Sequence, residues 1–155
     1  MGKWLELGEP TTTERGTRVW EISECSVREL VDRAKRISGL PAIRVSAPHG
    51  LEQTVSRVGL LVGGAGLCPN GGAFEPYIRA GCDVLIAGET DNYGFRYAAE
   101  CGIPLIETSH EVCEMPGFRH FSGLLARAFP NLAVSFYENS CPYEIYGGQT
   151  ERFGN

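Results

Sequence analysis

Apolar residues recur at 27, 30, 31, 34 and 37, and this three-and-four spacing predicts an amphipathic helix with one buried stripe. Ser26 and Glu29 stand three apart at its start, the capping-box pair that satisfies the first free amides of a helix. Gly39 and Pro41 end it. Residues 18–24 alternate as a strand, with Val19 and Ile22 apolar and Trp20 between them. Residues 42–46 form a short strand. The nearly continuous apolar run at 57–62 suits a strand buried on both faces, and 83–88 repeats the pattern around Val84, Leu85, Ile86 and Ala87. A further strand is predicted at 103–108, and two last ones at 132–137 and 143–146. Helices are predicted at 74–80, 93–101 and 117–129. The last of these places Phe118, Phe121, Leu124, Leu125 and Ala128 on an inner face, with Pro116 in its first turn and Pro130 as its stop.

Strands alternating with helices predict an α/β fold: a single domain over 18–146 with a mixed sheet flanked by helices. Residues 1–17, rich in Gly, Pro and Thr, read as a loosely held lead-in, and 147–155 as a flexible tail.

Charge narrows the function. A net charge of -5 argues against a nucleic-acid surface, which shows as a basic patch. No run of 18 apolar residues spans a membrane, and the first residues lack the apolar core of a signal peptide, so a cytoplasmic location is expected. Six cysteines at 25, 68, 82, 101, 113 and 141 contain no Cys-x-x-Cys pair, which excludes a zinc ribbon on spacing. In a reducing compartment they read mostly as buried free thiols.

In α/β sheets ligands gather beyond the carboxyl ends of the strands, and three polar strand ends qualify. The first is the turn Gly63-Gly64-Ala65-Gly66 after the run at 57–62. Gly63, Gly64 and Gly66 are candidates for bringing amides against a phosphate or anion. No Gly-Lys-Ser/Thr follows and the dinucleotide glycine spacing fails, so a tight, closely packed turn is the favoured reading. The second is Glu89-Thr90-Asp91, in which Asp91 is expected to cap the next helix. The third holds His110 and Glu114. If the chain turns helical after Ser109, a spacing of four stacks them on one face, as two ligands of a divalent transition metal require. On residue type alone a structural histidine is the commoner case. Cys113 is either a buried thiol or a substitute soft ligand, the former favoured. His49 and His120 receive no role, and Phe118 and Phe121 read as core.

Several segments carry a resemblance. A Gly16-x-Arg18 strand leads into Ser26-x-x-Glu29-Leu30 and then Gly39-Leu40-Pro41, and the strand from Arg57 runs into a Gly-Gly-small-Gly turn ending at Gly66. Ala80-Gly-Cys-Asp-Val-Leu-Ile-Ala-Gly-Glu89 is similar to Ala-Gly-Ala-Asp-Val-Tyr-x-Thr-Gly-Asp, and Ser109-His-Glu-Val-Cys-Glu-Met-Pro-Gly117 to Gly-His-x-x-x-Glu-x-Pro-Gly. Glu138-Asn-Ser-Cys-Pro-Tyr143 is similar to a closing strand. In this order, over about residues 15–146, the chain resembles the carboxyl-terminal half of the NGG-one-interacting-factor-three family, also known as dinuclear metal centre hexameric or GTP cyclohydrolase type-two-like proteins.

The resemblance implies one half of a two-domain α/β fold, with His110 and Glu114 as ligands of a dinuclear centre and Glu89 where the family usually has an aspartate. It implies a divalent metal (zinc, iron or manganese) as cofactor and a homo-oligomer, hexameric in the family. The family's paired His-His and its following Asp belong to the other half, so a separate chain is a candidate to supply them. Two functions follow. One is a metal-dependent hydrolase in which His110 and Glu114 hold the metal and Glu89 or Glu111 handles protons. The other is a non-catalytic binding or regulatory oligomeric module with an incomplete metal site.

Overall fold

The computed structural model describes residues 1–13, 17–139 and 143, and at 68–70 the backbone alone. Its six strands are β1 (Thr11–Thr12), β2 (Arg18–Ser26), β3 (Arg44–Ser46), β4 (Thr54–Leu61), β5 (Val84–Ala87) and β6 (Leu105–Glu107). The helices are α1 (Val27–Ser38), α2 (Glu75–Arg79), α3 (Asn92–Glu100) and α4 (His110–Ala128). The strands form one sheet in the order β1-β2-β4-β5-β6-β3. Its three central strands, β4, β5 and β6, run parallel, and β2 and β3 flank them antiparallel. The mixed sheet expected from the sequence is therefore present.

The β5 strand is buried on both faces, as its unbroken apolar run requires. Leu5, Leu7, Leu30, Val58, Val84 and Ile86 pack on one side of the sheet beneath α1. Leu61, Phe74, Leu85, Ala98 and Leu105 pack on the other beneath α2 and α3. Each such fully buried leucine contributes about 1.5–3 kcal/mol by leaving water. The capping box of α1 is made in full: Glu29 N–H donates to Ser26 Oγ at 3.2 Å, and Ser26 N–H to Glu29 Oε2 at 2.7 Å. At the head of β5, Asp83 accepts the amides of Ser56 at 2.9 Å and Arg57 at 2.8 Å, pinning β4 to β5.

Four expectations fail. The lead-in is not loose throughout, because Leu5 and Leu7 enter the core. The last helix begins at His110 rather than 117, so Pro116 lies inside it and leaves the Val112 carbonyl without its helical donor. Phe118, Phe121 and Leu124 are exposed, and so is Ala128; only the sheet-proximal turn of α4 meets the core, where Cys113 is buried. Their spacing is helical, but no described element buries that stripe. Residues 132–137 form no strand, since no neighbouring strand among the described residues offers a ladder. Of the strand expected at 143–146, Tyr143 is an exposed bend and the rest lies outside the described residues, as does the tail at 147–155.

Candidate metal centre

Register sets the site. Leu61 of β4 pairs with Ala87 of β5, and Ala87 with Glu107 of β6, so the three parallel strands end at one level. The residues that follow emerge side by side: the turn at Gly63–Ala65, Gly88 with Glu89, and Ser109 with His110. The turn is stitched to its neighbour by Glu89 N–H donating to the Gly63 carbonyl at 2.9 Å and by Thr90 Oγ1–H donating to the Gly66 carbonyl at 2.7 Å.

His110 occupies the first turn of α4 and is half-exposed. Its Nδ1 lies 2.9 Å from Glu89 Oε2 and its Nε2 3.5 Å from Glu114 Oε1. The imidazole is thus held between two carboxylates, one per ring nitrogen. Hydrogen bonding to Glu89 raises its pKa above the ordinary histidine value; burial opposes it, and the nearby charge of Glu114 adds a smaller upward push. Two ligands at about 2.1 Å from a tetrahedral ion stand about 3.4 Å apart. The Nε2–Glu114 separation matches that spacing. Glu89 bonds the opposite nitrogen, the position of an outer carboxylate that orients a ligating histidine.

Cys113 does not join them. Its buried thiol donates to the His110 carbonyl at 3.1 Å and its sulfur accepts the Gly63 amide at 3.3 Å. Burial raises its pKa. Gly63 therefore spends its amide on sulfur, and the turn packs onto His110 and Glu114. Glu111 lies beside the Ser109 hydroxyl, which donates to it at 3.3 Å. Asp91 caps α3, accepting from Gly94 N–H at 2.9 Å. Among the described residues no group of three or more His, Cys, Asp or Glu side chains is placed to hold one ion. The geometry explains this, since Glu89 and Glu114 lie on opposite sides of the ring. His110 and Glu114 fit a metal as two ligands and require others.

Three residues escaped sequence reasoning. Arg44 and Glu107 face each other across the β3–β6 pair, with Arg44 Nε–H donating to Glu107 Oε1 at 2.7 Å and Nη2–H to the Thr90 carbonyl at 2.8 Å. Glu107 also accepts the Thr90 amide at 2.8 Å, so the pair fixes the loop that carries Glu89. Sixty-three positions separate them, and nothing in the sequence couples them. Ser109 has φ 74° and ψ 142°, a region nearly reserved for glycine, and the glycine of the similar motif was the available signal. A cavity of about 480 Å³ opens beside these groups, walled by Leu40 and Ile43 and by Arg44, Glu89, His110 and Glu111.

The family model described as Duf34/NIF3 (NGG1p interacting factor 3) matches residues 5–142. The chain belongs to the Duf34/NIF3 family. The NIF3 homolog of Schizosaccharomyces pombe is 32% identical over 113 residues, which are 73% of this chain and 33% of the relative. Solved structures share the fold. The protein ybgI, of unknown function, superposes with a TM-score of 0.71 at 23% identity, covering 92% of this chain and 55% of ybgI. Staphylococcus aureus protein SA1388 gives 0.65 at 18% identity, covering 83% of this chain and 41% of its own. The chain spans about a third of the curated relative's length and about half or less of these structures.

Proposed function

We propose that this Duf34/NIF3 chain is a non-catalytic binding or regulatory module that carries part of a divalent-metal site and works as an oligomer. One observation carries this reading: His110 Nε2 and Glu114 face each other at ligand spacing, while Glu89 bonds Nδ1 from the other side and, among the described residues, no third ligand converges. Zinc, iron or manganese would be held by His110 and Glu114, with Glu89 fixing the imidazole. The remaining ligands would come from another polypeptide, a second copy or a separate chain corresponding to the other half of the family fold. The order of the motifs supports assigning this chain to the carboxyl-terminal half.

A hydrolase is the second reading, favoured by the 480 Å³ cavity that shares Glu89, His110 and Glu111 with the site. A bound metal would supply an activated water there. In this reading Glu89 and Glu111, which line that wall, would take or hold a proton.

Metal content per chain, measured after purification without chelator beside His110→Ala and Glu114→Gln, tests the proposal. Weak or substoichiometric zinc in the wild type, abolished by either substitution, is expected. Stoichiometric metal in a monomer would sink the incomplete-site reading and favour the hydrolase. Metal content unchanged by both substitutions would remove these residues from the site.

A further inference from the structure

The stripe on α4 and the segment after it have features that no metal site requires. Residues 132–137 read Leu-Ala-Val-Ser-Phe-Tyr, a strand-forming sequence, and alternate as a strand does. Val134 and Phe136 are half-buried, whereas Leu132, Ala133, Ser135 and Tyr137 are exposed. Yet residues 133–139 make no backbone–backbone hydrogen bond to another described residue. The segment is held in place through side chains. Arg119 of α4 lies 4.8 Å over the Phe136 ring and pairs with Glu138 at 2.8 Å. Along the adjoining helix Phe118, Phe121 and Leu124 are exposed, and an apolar cleft of about 430 Å³ separates Met115, Phe118, Phe121 and Leu125 from Val134 and Phe136.

We propose that this face is the contact between two copies of the chain, with residues 132–137 pairing antiparallel with themselves across a twofold axis. Self-pairing suits the geometry, since an isologous antiparallel contact gives a partner to the alternate backbone groups on the facing edge of both strands at once, groups that bond no other described residue. A register centred on Val134 keeps Leu132, Val134 and Phe136 of both copies facing the helices, because opposed residues in an antiparallel ladder share a face. Area points the same way. Phe118, Phe121, Leu124, Phe129, Leu132 and Tyr137 are 45–84% exposed. At about 150–250 Å² for a whole aromatic residue, they present on the order of 600 Å² per copy, close to the ~800 Å² per partner of a stable interface. Arg119 and Glu138 already neutralise each other, so dimerisation strands neither charge at the rim.

This inference names the surface for the oligomer proposed above and does not depend on metal occupancy. Sedimentation of the purified chain through the micromolar range, beside the double variant Phe121→Glu, Leu124→Glu, tests it. The wild type is expected to be a dimer in which alternate amides within 133–137, those aimed at the partner strand, exchange slowly with deuterium. The double variant is expected to be a monomer with those amides fast and unchanged circular dichroism. Both side chains are exposed in the monomer, so the fold tolerates the change. A wild-type monomer at every concentration, which would leave the face to a different chain, overturns the proposal. So does a dimer that survives both substitutions, or one in which the 133–137 amides stay fast.

Discussion

Gly63 leaves Glu114 the space it occupies: a Cβ at Gly63 would sit 2.2 Å from Glu114 Oε1 and 3.2 Å from His110 Nε2. The glycine also holds φ +59°, where a side chain is strained. Gly63→Ala is expected to cost about 1–2 kcal/mol in urea unfolding for the left-handed backbone. The Glu114 carboxylate ends a flexible side chain and swings away, so the fold survives while zinc uptake falls toward that of His110→Ala. Retained zinc uptake would show that Glu114 need not stay where it is.

Gly88 is the harsher position. Its Cβ would meet Cys113 Sγ at 2.5 Å and the Gly63 backbone at 2.7 Å, and neither yields easily. Gly88→Ala is predicted to lose about 1–3 kcal/mol or more through overpacking. A denaturation midpoint matching the wild type would mean that the turn and β5 are less tightly joined than the distances state.

Ser109 adopts a glycine-like conformation immediately before His110. Relief of such strain contributes about 1–3 kcal/mol, and the added freedom of an unfolded glycine takes back about 0.5–1. Ser109→Gly should therefore stabilise the protein by about 1 kcal/mol, raising the thermal midpoint by about 2–4 °C. A lower midpoint would mean the Ser109–Glu111 hydrogen bond outweighs the strain.

His110 gives the metal-free protein a pH dependence of known sign. Its pKa is raised on folding by Glu89, so its stabilising contribution is fully present below the ordinary value of 6.5 and is lost as pH rises through the raised one. Because the ring is half-exposed the effect is modest. In chelator, the stability difference between wild type and His110→Gln should shrink from pH 5.5 to 8.5; a flat difference would deny the pair. Zinc uptake should run the opposite way and weaken in acid, because ligation needs the unprotonated imidazole.

The thiols sort by burial. Burial pushes the Cys82 pKa up to about 11 and raises that of Cys113, whereas Cys101 is exposed. A disulfide reagent at neutral pH should modify Cys101 in the native protein and reach Cys82 and Cys113 only after unfolding, as mass mapping would read. Rapid labelling of Cys113 would mean that the Gly63 turn opens.

Residues close in sequence carried much of the fold on their own. The stripe from Val27 to Ile37, the capping box of Ser26 and Glu29, the Asp91 cap and the apolar runs of β4 and β5 are local patterns, and local backbone physics was enough to specify them. The pairing of His110 with Glu114 was legible for the same reason, because four positions on a helix make neighbours. The sequence could not place Glu89 against Nδ1, Arg44 against Glu107 or Gly63 beneath Glu114, since those contacts exist only once β4, β5 and β6 end in register. Nor could periodicity tell whether the faces it marked would be covered. Val27 and Leu30 found a sheet; Phe118 and Phe121 stayed exposed and the strand-like segment at 132–137 found no described strand to pair with, because burial and pairing depend on what lies opposite, and that is a property of the tertiary structure.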